Sequence, residues 1–276
     1  MRLRRGVAVL AYHNIVEQSH SLGDVSLHLE RRRFAAQLDR LLKTHRPIAL
    51  DEVWGDHARG GGPRFAVTFD DAYRGAVRLA IPELVARGVP ATFFVCPGML
   101  SEPGFWWDRI AAPGGGLAAS ARTICLDDLR GVQSAILERF TPSDVPADLH
   151  PATLEELRAA ALAPGITFGS HTWTHPNLAV LPREALEGEL DRCRAWLDGE
   201  FGDRALTSHL ALPYGLAGAH AVEAARAAGY RFIYRIEGGV TRPDELDPDG
   251  QLLPRLNVPG GVSVRGLELR ASGLRR

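Results

Sequence analysis

The sequence predicts an α/β fold built on a parallel sheet with helices packed outside it. Three observations carry that expectation. Short, wholly apolar runs alternate with helical patterns along most of the chain. The apolar runs do not alternate with polar residues, which is the pattern of strands buried on both faces. Polar residues with useful chemistry follow the ends of those runs, where the loops of such a sheet gather on one face. On these grounds a closed barrel and an open doubly wound sheet fit equally.

The elements follow in order. Gly6 to Tyr12 (GVAVLAY) is the first strand, and 31–45 a helix with Phe34, Leu38, Leu41 and Leu42 on one face. RFAVTF (64–69) is the second strand, followed by a helix over about 74–87 that stops near Gly88. ATFFVC (91–96) and ITFGS (166–170) are the third and fourth strands. A long helix opens after Pro182 with acidic early turns and runs to Leu197. SHLALPY (208–214), a helix over 217–229 and YRFIYRI (230–236) complete the series. The stretch 104–164 breaks the rhythm with FWWDRI, a glycine run at 114–116 and a proline-rich segment at 142–151. It reads as an insertion within a single domain spanning 1–276.

Bulk properties exclude several classes. A net charge of −1 argues against nucleic acid or anionic membrane partners. Among the 32 basic residues only Lys43 is lysine, which points to a GC-rich genome. Cys96, Cys125 and Cys193 form no CxxC pair and read as small buried apolar residues. The run 6–12 is too short for a signal peptide, and no segment reaches the roughly 20 apolar residues of a membrane helix. The expected location is cytoplasmic.

Two motifs carry chemistry. In Thr68-Phe69-Asp70-Asp71, two adjacent carboxylates follow an apolar strand. Holding them together is costly unless a cation or proton lies between them, yet alone the pair reads more readily as a solvated helix-capping turn. His171 and His175 stand at i and i+4, a spacing that shares one side of a helix. No glutamate follows His171, and Pro176 marks a turn or a helix start. Alone, such a pair is more often structural. Together, one carboxylate and two imidazoles make a three-ligand metal site with open positions, and the second carboxylate is placed to take a proton from water.

FAVTFDDAYRG (65–75), IPELVARGVPATFFV (81–95), FGSHTWTHPNL (168–178) and LALPYG (210–215) resemble the NodB homology domain of polysaccharide deacetylases, carbohydrate esterase family 4. The likeness runs from LAYHNIV (10–16) to LPRLNV (253–258). It implies a distorted (β/α)7-type barrel, with a helical insertion between the third and fourth strands, that removes N-acetyl groups from amino sugars or polysaccharide. By that resemblance Asp70 is the general base, while Asp71, His171 and His175 hold a divalent metal, commonly zinc. Pro213 and Tyr214 belong to a motif forming one wall of the substrate groove, and the Tyr214 backbone N–H helps hold the oxyanion.

The chain departs from the family pattern in three places. Ala72 stands where glycine is usual, which alanine tolerates if φ stays negative. Ala211 replaces an arginine that normally contacts the base; Arg255 is the candidate substitute. The Leu-x-His element of the general acid has no match, and His13, ending the first strand, is the candidate stand-in. Trp173 is the expected stacking surface for a sugar ring, whereas Trp106 and Trp107 read as helix-packing core. The remaining histidines (His20, His28, His45, His57, His150, His209 and His220) read as surface or structural. Two rival functions stay open: another carbon–nitrogen hydrolase on the same site, such as a deformylase or ring-opening amidase, and a carbohydrate-binding protein that has lost catalysis.

Overall fold

The structure is a computed structural model that describes residues 6–19, 21–54, 62–100, 102–112, 117–242, 247 and 251–273. The glycine run at 114–116, His20 and His57 lie outside the described residues. The strands are β1 Val7–Tyr12, β2 Asn14–Val16, β3 His28–Glu30, β4 Arg46–Pro47, β5 Arg64–Phe69, β6 Ala91–Val95, β7 Ile166–Ser170, β8 Ala205–Ala211, β9 Phe232–Arg235, β10 Leu253–Pro254 and β11 Leu256–Asn257. The helices are α1 Arg31–Leu42, α2 Ile81–Ala86, α3 Trp106–Arg109, α4 Ala119–Thr123, α5 Gln133–Arg139, α6 Leu154–Ala161, α7 Arg183–Phe201, α8 Ala219–Ala227 and α9 Val264–Ala271.

The main sheet is parallel in every pairing, in the order β10-β9-β8-β7-β6-β5-β1-β11. Its two ends are one segment. Leu253 and Pro254 pair with Tyr234 and Arg235 of β9, and Leu256 and Asn257 pair with Leu10 and Ala11 of β1. The segment changes partner at Arg255, so the sheet returns to its first strand. This is the distorted seven-stave barrel, and the open alternative falls away.

Alternation along the staves divides inside from outside. Val7 and Val9 join Ala66, Phe94, Ala211, Tyr234 and Leu253 in one cluster, the barrel filling. Ala8, Leu10, Phe65, Val67 and Phe69 join the larger cluster under the helices, with Phe34, Leu38 and Leu41 of α1. A helical insertion separates β6 from β7, and its last helix, α6, opens with a capping box between Thr153 and Glu156.

Several bounds differ from expectation for local reasons. The helix over 74–87 is a wide π turn, Ala76–Ala80, followed by α2. Pro82, the second residue of α2, has no N–H to donate back, so regular α pairing is interrupted there. The strand at 208–214 starts three residues earlier and ends at Ala211, because Pro213 cannot donate to a ladder and Tyr214 turns left-handed. The small parallel pair β2–β3 and the short β4 had no legible pattern at their length.

Candidate metal centre and catalytic site

The site stands at the C-terminal ends of the staves. The Asp70 amide donates to the Tyr12 carbonyl at 2.9 Å, extending the β1–β5 ladder by one step and setting His13 beside the Asp pair. The next two residues, Asp71 (φ 68°) and Ala72 (φ 53°), are both left-handed. The expectation of a negative φ at Ala72 fails. Each such L-residue costs about 1–2 kcal/mol. Thr172 (φ 68°), His175 (φ 61°) and Tyr214 (φ 56°) share that conformation. The strain collects in the loops around one cavity, as it does where the surrounding structure fixes a functional geometry.

The segment His171–His175 is a folded loop, not a helix. The Thr172 amide donates to Ser170 Oγ (3.2 Å), and the His175 amide to Thr172 Oγ1 (3.1 Å). Glu189 of α7 accepts from both the amide and the hydroxyl of Thr174 at 2.7 and 2.6 Å. These bonds replace helical ones and bring the two imidazoles together.

Asp71, His171 and His175 are 2–4% exposed, and their ligand-type atoms form a tight triangle. The two Nε2 atoms are 3.1 Å apart, and Asp71 Oδ1 lies 3.4 Å from His171 Nε2 and 3.2 Å from His175 Nε2. Zinc bonds of the usual length at tetrahedral angles require ligand separations of about 3.3–3.5 Å. Among the described residues, Asp71 Oδ1 is buried without a hydrogen-bond partner, an expensive condition that a cation relieves. The His171 Nδ1–H donates to the Ala211 carbonyl at 2.8 Å, which leaves Nε2 free to ligate. These residues fit a divalent metal. Burial would raise the Asp71 carboxyl, but the two imidazoles hold it well below the usual carboxylate range. Burial lowers His175.

Asp70, 2% exposed, has a cation of its own. Arg255 Nη1 and Nη2 donate to its Oδ1 and Oδ2 at 2.6 and 2.7 Å, and Nη1 also reaches Thr68 Oγ1 at 3.1 Å. Burial pushes the Asp70 carboxyl up, and the Arg255 charge brings it below its ordinary value. His13 Nε2 lies 4.0 Å from Asp70 Oδ2.

The sequence profile of the family described as polysaccharide deacetylase matches residues 57–233. The chain belongs to this family. The polysaccharide deacetylases hydrolyse N-acetyl amide bonds with a metal, so this member is a hydrolase of carbon–nitrogen bonds. Solved structures share its fold. The deacetylase PplD of Streptococcus pyogenes, in complex with acetate, is 17% identical with a TM-score of 0.66, over 96% of this chain and 98% of that one. IcaB from Ammonifex degensii is 21% identical with a TM-score of 0.68, over 98% of each chain. A de-N-acetylase from Aggregatibacter actinomycetemcomitans is 14% identical with a TM-score of 0.66, over 95% and 98%. No curated protein matches the sequence. His13 and Arg255 lie outside the span matched by the family profile, on the two staves that close the deacetylase barrel.

A cavity of about 230 Å³ opens over the metal residues. His13, Asp70, Asp71, His171, His175 and Tyr214 line it. Trp173 does not. Its ring lies under the Arg192 guanidinium at 4.3 Å, and its backbone and indole crowd Gly98, so it packs the loop from outside. Pro213 is buried and leaves the wall to Leu212, Tyr214 and Gly215. Trp106 and Trp107, expected to be core, are buried and also form cavity wall. With them the insertion contributes Leu117, Arg122 and Leu126. Asn257 of the closing stave also lines the cavity, and its Oδ1 has no hydrogen-bond partner among the described residues. FWWDRI carried the signal for the tryptophans; nothing in the sequence distinguished Arg122 or Asn257.

Proposed function

We propose that the chain is a zinc-dependent deacetylase that releases acetate from an N-acetylated amino sugar or oligosaccharide. The observation that carries this reading is the Asp71–His171–His175 triangle, with the orphaned Asp71 Oδ1 inside it and the carboxylate of Asp70 next in the chain. Asp71, His171 and His175 would hold a divalent ion, which would supply Lewis acidity toward water and the acetyl carbonyl. Asp70 takes the proton from the attacking water. Both its oxygens hold bonds to Arg255, but each carboxylate oxygen has a second lone pair for the incoming proton. The Tyr214 N–H stabilises the oxyanion, a contribution whose loss costs about 10²-fold or more. His13, protonated, gives its proton to the departing amine as the carbon–nitrogen bond breaks. Acetate and the free amino sugar leave.

His13 fills the place of the absent Leu-x-His because β1 is hydrogen-bonded to the closing segment Leu253–Asn257. A group on β1 reaches the same mouth as one on that segment. His13→Ala is expected to lower kcat about 10²- to 10⁴-fold, leave KM near its original value and remove one limb of the pH–rate profile. Unchanged turnover and profile rule the role out. The function itself is tested by metal analysis of purified protein and a screen that separates released acetate from formate over N-acylated sugars. Formate alone selects the deformylase reading. Sugar binding without release by metal-loaded protein selects the binding-protein reading.

A further inference from the structure

The two histidines are held in different ways. The Nδ1–H of His171 has its backbone acceptor, the Ala211 carbonyl, the usual outer partner of a metal-ligating imidazole. His175 Nδ1 is buried and has no hydrogen-bond partner among the described residues. No hydrogen bond at that atom fixes its ring. Two aromatic rings flank it: Tyr214, with centroids 4.5 Å apart and planes at 81°, and Trp107, at 4.8 Å and 50°.

Both flanking rings are tied down by their polar ends. The Tyr214 hydroxyl donates to the His175 carbonyl at 3.2 Å and accepts from Trp106 Nε1 at 3.0 Å. Trp107 Nε1 donates to the Tyr73 hydroxyl at 2.6 Å, and Tyr73 donates to Asp108 Oδ2 at 2.6 Å. Asp108, 2% exposed, accepts at Oδ1 from the Asp24 amide (2.8 Å) and from His28 Nε2 (3.1 Å). Phe105 stacks on Trp107 with centroids 4.7 Å apart and planes at 7°. A buried carboxylate with three donors is an expensive device for filling space, and here it ends in the orientation of one ring.

We infer that Trp107 and Tyr214 form an aromatic clamp that aims His175 at the metal, with Tyr73 and Asp108 as positioning residues that set the Trp107 side of the clamp. The inference rests on the metal reading above. It assigns the insertion a purpose: α3 brings Trp106, Trp107 and Asp108 to the metal loop.

The test is the zinc dissociation constant, measured by competition with a chromophoric chelator, together with the visible spectrum of the Co²⁺-substituted protein. Tyr73→Phe keeps the ring and removes one oxygen, leaving Trp107 Nε1 and Asp108 Oδ2 short of a partner. It is expected to weaken zinc binding several-fold, up to the roughly 10-fold lower end of the loss for a direct partner of a ligand, and to alter the Co²⁺ bands. Excess zinc is expected to restore most of kcat. Trp107→Phe, which keeps a ring without the N–H, is expected to act in the same direction. A zinc constant within twofold of wild type in both variants, with only the melting temperature lowered, overturns the clamp and leaves these residues as packing. A wild-type protein that takes up no zinc removes the metal reading as well, so the two failures are distinguishable.

Discussion

Replacing Arg255 by methionine isolates the pair that would set Asp70 as the proposed general base. Arg255 is fully buried and Asp70 2% exposed, and the guanidinium fork makes two charge-assisted bonds of 2.6 and 2.7 Å. Methionine fills much of the same volume but leaves the buried carboxylate without its guanidinium partner. Breaking a buried pair from one side costs about 3–5 kcal/mol, which in a domain of this size lowers Tm by roughly 6–20 °C. The Asp70 carboxyl is held below its ordinary value in the fold. The pair's stabilisation is therefore present above the unfolded carboxyl pKa and is lost as pH falls through the lower folded value. In Arg255→Met burial, which raises that carboxyl, is opposed only by the neighbouring His171 and His13, so the acid limb of the rate profile moves to higher pH. Calorimetry and kcat against pH read both effects. Asp70→Asn in the same background is the control. With neither charge buried, the double variant is expected to recover most of the lost Tm without activity. A single variant that melts within about 3 °C of wild type, or an acid limb that stays in place, refutes the argument.

Two further outcomes follow from buried groups. His209, 2% exposed in the barrel filling, is pushed down to about 3 by burial, and its Nδ1 lies 3.0 Å from the Tyr234 hydroxyl, which accepts from Trp54 Nε1 at 2.8 Å. A neutral His209 that protonates on unfolding costs stability as pH falls from the unfolded value of about 6.5 towards 3, by about 1.4 kcal/mol per pH unit; His209→Asn, which keeps an acceptor for Tyr234 and does not titrate, is expected to flatten urea-unfolding free energy between pH 6 and 4.5, and parallel curves for the two proteins defeat this. At Ala72, relief of the left-handed φ (about 1–2 kcal/mol) is offset by unfolded-chain entropy (about 0.4–1 kcal/mol) and the buried methyl (about 0.8 kcal/mol), so Ala72→Gly is expected to stay within about 1 kcal/mol of wild type. Ala72→Val, β-branched at φ 53°, is expected to lose much more, and equal melting of the two variants contradicts the strain.

The parts of the fold and site that were legible in sequence are those fixed by local pattern. The staves of the main sheet are buried on both faces, so their apolar runs stood out, and the polar residues just past their ends marked the mouth of the barrel. Asp71, His171 and His175 were readable as a set because each follows a stave end. Other features depend on contacts far apart in the chain. Left-handed φ at Ala72 is imposed by the turn, and no alanine announces it. Trp173 sits inside the histidine motif, yet Gly98 and Arg192, 75 residues before it and 19 after, decide that its ring faces away from the cavity. Trp106 and Trp107 have the pattern of core residues and are core; that they also form cavity wall depends on where the insertion folds back.

Two of the three departures from the family pattern, at Ala211 and at the missing Leu-x-His, have one topological cause. The closing segment Leu253–Asn257 makes only two register pairs with each neighbour, so its middle residue, Arg255, whose amide still donates to the Arg235 carbonyl of β9 at 3.2 Å, stands at the joint of β9 and β1. An arginine at that joint reaches Asp70 across the barrel interior, which removes the need for one at position 211 on β8. The same segment runs beside β1, so under the proposed mechanism His13, at the end of β1, takes the place of a proton donor at the end of that segment. Substitution of both groups is thus easier at the seam of the barrel than anywhere else on the sheet. Elsewhere each stave's end is committed: β5 supplies the carboxylates, β7 leads into the histidine loop, and β8 leads into the Tyr214 turn. Arg255→Met combined with Ala211→Arg is expected to return the charge to Asp70 from the other side and to recover part of the lost acid-limb position; a double variant no better than Arg255→Met shows that the joint, and not the charge, is what Asp70 requires.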